Sequence, residues 1–345
     1  MNNFSLKGRP PTIEDVARMA RVSTATVSRS LNTPHRVREA TRLEVEKAVL
    51  KLGYTPNFGG QALASNRTNT IGAIIPTMDN AIFATALQAL QETLAAHNVT
   101  LLVATSRYSP DEEEGQIRNL LARGVDGVVL IGTGRAPSAY KLLEARGVPF
   151  AILWSIPSDT ERLMIGFDNA GAAADVAVRV MERGHRRIAM ISGLMQNNDR
   201  ATARVDGVAA ALREADLEMR PSWLIECRYS LNHGERAARR LLQSSSRPTA
   251  IICGNDVLAA GALMAAHELS IAVPEELSIT GFDDIELARA VFPQLTTVRV
   301  PHRRMGAAAG ECLLRWINEG TRPKSMTLPT QFLERQSLGY MRPRE

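Results

Sequence analysis

Thr12-Ile-Glu-Asp-Val-Ala-Arg-Met-Ala-Arg-Val-Ser-Thr-Ala-Thr-Val-Ser-Arg-Ser-Leu-Asn32 holds two helical periods with room for only a tight turn between them. Thr12 is an N-cap with an acid, Asp15, three residues on, and Ile13, Val16, Ala17 and Ala20 then share one helical face. This helix is expected to end near Arg21. Ser23 opens a second, from Thr24 to Leu31, in which Val27 and Leu31 share a face while Thr24, Ala25, Ser28 and Arg29 lie elsewhere. A third periodic segment, about Arg38 to Leu52, buries Val45, Ala48, Val49 and Leu52 and stops at Gly53. The expectation is a small trihelical unit whose first two helices cross steeply.

Charge is distributed unevenly around that unit. The 345 residues carry 41 Lys and Arg against 36 Asp and Glu, a net charge of +5. Residues 1–68 hold eleven of the basic side chains and five of the acidic ones, so the excess of +6 sits in the first fifth and the remainder is at −1. A basic head on a neutral body fits a polyanion partner, because each phosphate neutralised releases condensed counterions; a solvated basic terminus is the plainer alternative. In a helix-turn-helix the start of the second helix enters the major groove. Short Ser and Thr side chains there bond phosphates or base edges without holding the helix away, and Arg29 has the reach to pair O6 and N7 of a guanine. Ser23 and Thr24 also suit simple helix capping.

From about Thr70 onward, apolar runs alternate with amphipathic segments. The runs are Ile71 to Ile75, Leu101 to Val103, Val128 to Ile131, Phe150 to Leu153, Ile188 to Ile191, Ile251-Ile252 and Leu277 to Ile279. Strands apolar on both faces and separated by helices indicate parallel sheets covered on either side, and seven such units over about 270 residues indicate two doubly wound lobes. Ligands in such folds bind outside the carboxyl ends of strands. The residues there are Pro76-Thr77 with Asn80 and Phe83, Ser106-Arg107, Thr133, Trp154, Ser192, Tyr229, Asn255-Asp256 and Phe282-Asp283-Asp284, with Arg204 early in the helix after Ser192. Aromatic walls with Asn, Asp and Arg suit a polyhydroxylated metabolite, whose CH faces stack while its hydroxyls need donors and acceptors.

The segment from Thr12 to Asn32, continued by Val37-Arg-Glu-Ala-Thr-Arg42, Leu52-Gly-Tyr-Thr-Pro56 and Ala62-Leu63-Ala64, resembles the head of the lactose/galactose repressor family of bacterial transcriptional regulators, and the resemblance covers nearly the whole chain. It implies an α/β protein with a helix-turn-helix head over 1–56, a hinge over 57–69 and an effector-binding, dimerising body over 70–345. The body then has two doubly wound parallel-sheet lobes of the periplasmic-binding-protein type, one about 70–167 with 298–326, the other about 168–297 with 327–345. By the same resemblance Thr24, Ala25 and Arg29 read bases, Ser23, Thr26, Ser28 and Asn32 contact the DNA backbone, and Leu63 of a hinge helix wedges into the minor groove, although Phe58-Gly59-Gly60 departs from the usual start of that helix. Arg21 stands where most members carry Gly or Asn, so the turn either accepts it at about 1 kcal/mol or differs slightly.

Carried over residue by residue, effector contacts fall at Phe83, Arg204, Tyr229, Asn255 and Asp283. Trp154 stands where sugar-responsive members often have Asp, which argues against a lactose- or galactose-type pocket. Gly166-Phe-Asp-Asn169 and Pro76-Thr-Met-Asp-Asn80-Ala-Ile-Phe83 resemble the gluconate-responsive branch, and Arg107 and Arg204 offer partners for a carboxylate or phosphate. The competing reading makes Arg107 a solvated loop residue and the ligand a neutral sugar or polyol. The implied partners are a palindromic operator in double-stranded DNA, a small polar metabolite and a second copy of the chain, since one head reads a half-site. The tail from Leu338 lacks leucine heptads, which favours a dimer over a tetramer.

No cofactor or metal is expected. Gly132-Thr-Gly134 begins like a dinucleotide fingerprint, but Pro137 takes the place of its third glycine. A phosphate-binding P-loop, a G-x-S-x-G elbow and an H-E-x-x-H pair are all missing from the sequence, so an enzyme is not expected. Cys227, Cys253 and Cys312 each sit in an apolar run and read as small buried hydrophobes, and His185 reads as a turn-stabilising residue. With no apolar stretch of bilayer length and no signal-like start, the expectation is a cytoplasmic protein away from membranes. The rival from another class is a transport-type receptor of the same two-lobed architecture, which binds its metabolite and ignores DNA.

Overall fold

The computed structural model describes residues 9–55, 67–156 and 161–341. Two compact units emerge, Met1–Thr68 and Asn69–Glu345. In the first, α1 (Ile13–Ala20), α2 (Thr24–Asn32) and α3 (Glu39–Leu52) close on Val16, Val27 and Val45, with Ala17, Ala48 and Tyr54 completing the core. Asp15 accepts the Thr12 backbone N–H and hydroxyl, each at 3.1 Å, and so fixes the entry to α1. The turn accepts Arg21 in the left-handed region, φ 54°, rather than reshaping itself. Val49 and Leu52 are packed against the head core but only partly buried. The hinge positions 57–66, Leu63 included, lie outside the described residues.

In the second unit each apolar run is a strand. The first sheet is built from β1 (Thr70–Ile75), β2 (Thr100–Thr105), β3 (Gly127–Ile131), β4 (Phe150–Leu153), β5 (Leu163–Gly166) and β11 (Met326–Thr327), in the order β11-β5-β4-β3-β1-β2, all pairs parallel. The second is built from β6 (Ile188–Gly193), β7 (Leu224–Cys227), β8 (Ala250–Cys253) and β9 (Ser278–Thr280), in the order β7-β6-β8-β9, also parallel. A small antiparallel pair, β10 (Thr297–Arg299) with β12 (Gln331–Leu333), lies where the chain passes between the sheets. Central strands β1, β3, β4 and β5 are buried at every residue, as two-faced coverage by helices requires. The α/β architecture with helix-turn-helix head and doubly wound lobes is therefore as expected.

The covering helices are α4 (Ala81–Ala95), α5 (Pro110–Ala122), α6 (Pro137–Ala145), α7 (Asn169–Glu182), α8 (Asp199–Glu214), α9 (Leu231–Leu242), α10 (Asp256–Glu268), the short α11 (Leu287–Ala290) and α12 (His302–Glu319). Several begin directly after a strand and are capped by their own first polar residue. Asn80 accepts from Ile82 N–H at 3.3 Å, Asn198 from Ala201 N–H at 3.5 Å and Asn255 from Leu258 N–H at 2.9 Å. Strand then cap then helix turns these N-termini toward the carboxyl edges of the sheets. Among the described residues no helix is long and apolar enough to cross a membrane. His185 is buried, with Nδ1 3.1 Å from Thr249 Oγ1 and Nε2 3.0 Å from the Gly339 carbonyl, tying the turn before β6 to the tail. Cys253 and Cys312 are buried as expected; Cys227 is a correction, half-buried because β7 is an edge strand with one side uncovered.

Candidate functional site

A narrow cleft opens between the carboxyl edges of the two sheets, where ligands of such folds bind. Phe83, Trp154, Arg204, Tyr229, Asn255 and Asp283 meet there, joined by Asn80, Tyr108, Asn198 and Arg200. Phe83 and Trp154 stand edge to face with ring centroids 5.3 Å apart and form the apolar wall. Arg204 is held from three sides. Its Nε donates to Asn169 Oδ1 at 2.9 Å, Nη1 donates to the Gly254 carbonyl at 2.6 Å, and its plane lies 3.8 Å from the Phe282 ring centroid. The remaining Nη2 faces Asp283 Oδ1 at 3.7 Å, close enough to compensate charge and too far for a hydrogen bond.

Burial pushes the Asp283 carboxyl up to about 6, against the pull of Arg204 and Arg200. Burial pushes His302 down to about 3, Arg204 adding to the effect, so this ring beside Trp154 is neutral. Trp154 Nε1 and Asp283 Oδ1 are both buried and make no hydrogen bond to protein. One donor and one acceptor of residues that line the pocket are thus unpaired within the protein, at a cost of about 1–3 kcal/mol each.

Asp256, next to the Asn255 cap, accepts from Ile285 N–H at 2.8 Å and from the Thr297 hydroxyl at 2.5 Å, and burial together with the nearby Asp283 lifts its carboxyl to about 8. A folded-state value above the unfolded one means that folding favours the protonated form. The associated stability is complete below the ordinary carboxylate range and is lost as pH rises through about 8. The melting temperature is expected to fall as pH rises from about 5 to about 8 and to level off above that, and Asp256→Asn should flatten the fall in calorimetry. An equally steep fall in the variant would refute the assignment to Asp256.

Arg107 does not join the pocket. Arg107 and Tyr108 both occupy the left-handed region, φ 52° and 60°, which reverses the chain at the end of β2 and turns Tyr108 inward. The Arg107 side chain is 76% exposed and its Nε donates to Glu112 Oε2 at 2.8 Å, so the solvated alternative describes its placement. Tyr108, Arg200 and Asn198 were missed by sequence reasoning. Arg200 carried a usable signal, since it lies one helical turn before Arg204 and therefore on the same face of α8. Nothing local distinguishes Tyr108 from Arg107.

The head presents a second candidate surface. Thr24, Ala25 and Arg29 are exposed on α2, Thr26 and Ser28 are half-buried, and Asn32 is the last residue of the helix. Ser23 is exposed and acts as the N-cap, accepting from Thr26 N–H at 3.1 Å, with the two hydroxyls 2.9 Å apart. Capping fixes the first turn and leaves the outward face of α2 to Thr24, Ala25 and Arg29.

Residues 12–57 match the model of bacterial regulatory proteins of the lacI family, and residues 177–338 match the periplasmic binding protein-like domain. The chain is 33% identical over 327 residues to catabolite control protein A of Priestia megaterium, covering 94% of this chain and 98% of that one. It is 31% identical over 330 residues to the HTH-type transcriptional repressor PurR of Klebsiella pneumoniae (strain 342), covering 95% and 96%. The crystal structure of the lac repressor dimer bound to operator and an anti-inducer superposes with a TM-score of 0.86 at 25% identity, covering 96% of this chain and all of that one.

Proposed function

Because the chain belongs to the lacI family of bacterial regulatory proteins, we propose that it is a DNA-binding transcriptional repressor, not an enzyme, whose grip on an operator is set by a small anionic metabolite, a sugar acid such as gluconate or its phosphate. The observation that carries the anionic reading is the electrostatics of the pocket. Arg200 and Arg204 line it, and the amino-terminal ends of α4, α8 and α10 reach it through Asn80, Asn198 and Asn255. Helix N-termini favour negative charge. Each of the three Asn side chains spends its oxygen on the cap; the Asn198 amide also donates to the Leu194 carbonyl at 3.1 Å, which leaves the amides of Asn80 and Asn255 as the donors toward the pocket. Against these stand Asp283, whose carboxyl at about 6 is still mostly ionised at neutral pH and offsets Arg204, and Asp199, which is paired with Arg200, so the positive bias comes from the three helix N-termini.

On this reading Phe83 and Trp154 stack on the carbon skeleton, while Trp154 Nε1 and Asp283 Oδ1 take hydroxyls. Residues 1–56 form the reading head, with Thr24, Ala25 and Arg29 toward bases and Ser23, Thr26, Ser28 and Asn32 toward phosphates. Residues 57–69 form the hinge that carries Leu63, and 70–345 the body, whose two lobes divide near 167 and again near 298 and 326. On the same reading the chain acts in the cytoplasm as a homodimer over a palindromic operator, which the likeness to the operator-bound lac repressor dimer supports. A transport-type receptor leaves the match over residues 12–57 without a purpose.

The test is calorimetry of the purified chain against D-gluconate, 6-phosphogluconate, D-glucose and sorbitol, followed by operator anisotropy with each. An acid binding about tenfold tighter than the neutral pair is expected from one additional charge-assisted contact. Equal or tighter binding of glucose or sorbitol would overturn the anionic reading.

A further inference from the structure

Gly132-Thr-Gly134, at the end of β3, has no place in the pocket chemistry above, yet it meets the opposite lobe at close range. The Thr133 backbone N–H and hydroxyl donate to Asp199 Oδ2 at 3.0 and 2.9 Å. Ser155, two residues past β4, donates its hydroxyl to the same oxygen at 2.6 Å. The other carboxylate oxygen, Oδ1, accepts from Arg200 Nη1 at 2.9 Å. Asp199 is the first residue of α8, which follows β6 of the second sheet, whereas Thr133 and Ser155 extend strands of the first. One carboxylate thus gathers four donors from both lobes, and such charge-assisted bonds are about twice as strong as neutral ones.

The glycines are shaped for this approach. At Gly132, φ 68°, a Cβ would overlap both Arg200 Nη1 and Asp199 Oδ1. At Gly134 a Cβ would stand 2.9 Å from the Asn197 carbonyl oxygen. Asn197 in turn reaches the Tyr108 carbonyl from its Nδ2 at 3.5 Å. Bare backbone on the β3 side therefore receives the turn that precedes α8. The burial of Asp199 favours its neutral form, but Arg200, the Ser155 hydroxyl and Thr133 outweigh that and hold the carboxyl below its ordinary value, so it is charged at neutral pH.

We propose that Asp199 is a positioning residue of the effector response: a strut that docks the first turn of α8 on the Gly132-Thr-Gly134 seat and, by the same carboxylate, aims Arg200 into the pocket. The consequence for the pocket rests on its reading as the effector site; the docking does not. Separating the lobes breaks the bonds to Thr133 and Ser155 together and frees the anion that orients Arg200. Lobe approach and the arrangement of the pocket are therefore one event.

Amide and guanidinium hydrogen exchange, measured by NMR on the full-length chain without ligand, tests the strut directly. The Gly132 N–H, bonded to the Leu153 carbonyl at 2.9 Å within the first sheet, is the internal reference. In Asp199→Ala the Thr133 N–H and the Arg200 Nη protons are expected to exchange roughly tenfold faster or more, the loss of a hydrogen bond to a charged group, with Gly132 unchanged. Asp199→Asn, which retains an acceptor for Thr133 and loses the charge facing Arg200, should accelerate Arg200 more than Thr133. Gly134→Ala leaves the carboxylate intact and should accelerate Thr133 through the Asn197 collision alone. Wild-type exchange at Thr133 in both Asp199→Ala and Gly134→Ala would overturn the docking, and wild-type exchange at Arg200 in Asp199→Asn would overturn its orienting role. Failure of gluconate to bind the wild type would count against the pocket reading and would leave these exchange rates where they are.

Discussion

Arg204→Ala is expected to cost about 3–5 kcal/mol of stability at neutral pH and to abolish binding in the pocket. The side chain is 6% exposed, and its removal strips the Asn169 and Gly254 oxygens of their donors while leaving Asp283, itself buried, without the guanidinium 3.7 Å away. Water does not easily replace a group that also stacks on Phe282. The Asp283 carboxyl, already at about 6, should rise further in the variant because its largest compensating charge is gone. The deficit should therefore shrink as pH falls and Asp283 becomes neutral. Urea unfolding at pH 7.5 and pH 5 measures both effects. A loss below about 1 kcal/mol, the range of an ordinary surface pair, would show that Arg204 does not carry the compensation assigned to it.

Arg29→Ala is expected to weaken specific operator binding by about 1–3 kcal/mol and to relax discrimination at one base pair per half-site. Arg29 is exposed on α2, whereas the head core of Val16, Val27 and Val45 lies on the other side of the helix, so the fold of the head should survive. Fluorescence anisotropy with operators altered one base pair at a time separates readout from charge. Loss of a base contact removes the preference at a single position, while loss of a phosphate contact weakens all sequences alike and lowers the salt slope by about one. Unchanged preference at every position would place Arg29 among the backbone contacts.

Both residues are legible in the sequence, through different kinds of signal. Arg29 follows from helical periodicity, because the exposed face of a nine-residue helix is determined once Val27 is assigned to the core. Arg204 followed from family resemblance and from its place after a strand. Its partners did not, since Asn169 and Gly254 lie 35 and 50 residues away along the chain. The Arg107 and Tyr108 pair shows where such reasoning ends. Position after β2 nominates both equally, and two successive left-handed residues, a choice imposed by the packing around them, put the tyrosine inside and the arginine in water. Strands β5 and β7 also went unassigned from sequence; each is four residues long, and β7 alternates poorly because it is an edge strand.

The sequence by itself determined the elements and their order: capped helices at Thr12 and Ser23, apolar runs that become buried strands, a basic head on a neutral body. These depend on neighbours within one turn or one pleat, and the alphabet of side chains encodes them locally. The tertiary structure alone decided that Asp199, Thr133 and Ser155 share one carboxylate, that Arg200 accompanies Arg204 into the pocket and that Arg107 stays out. Those outcomes turn on how closely two separately folded sheets approach, a distance that no local pattern carries.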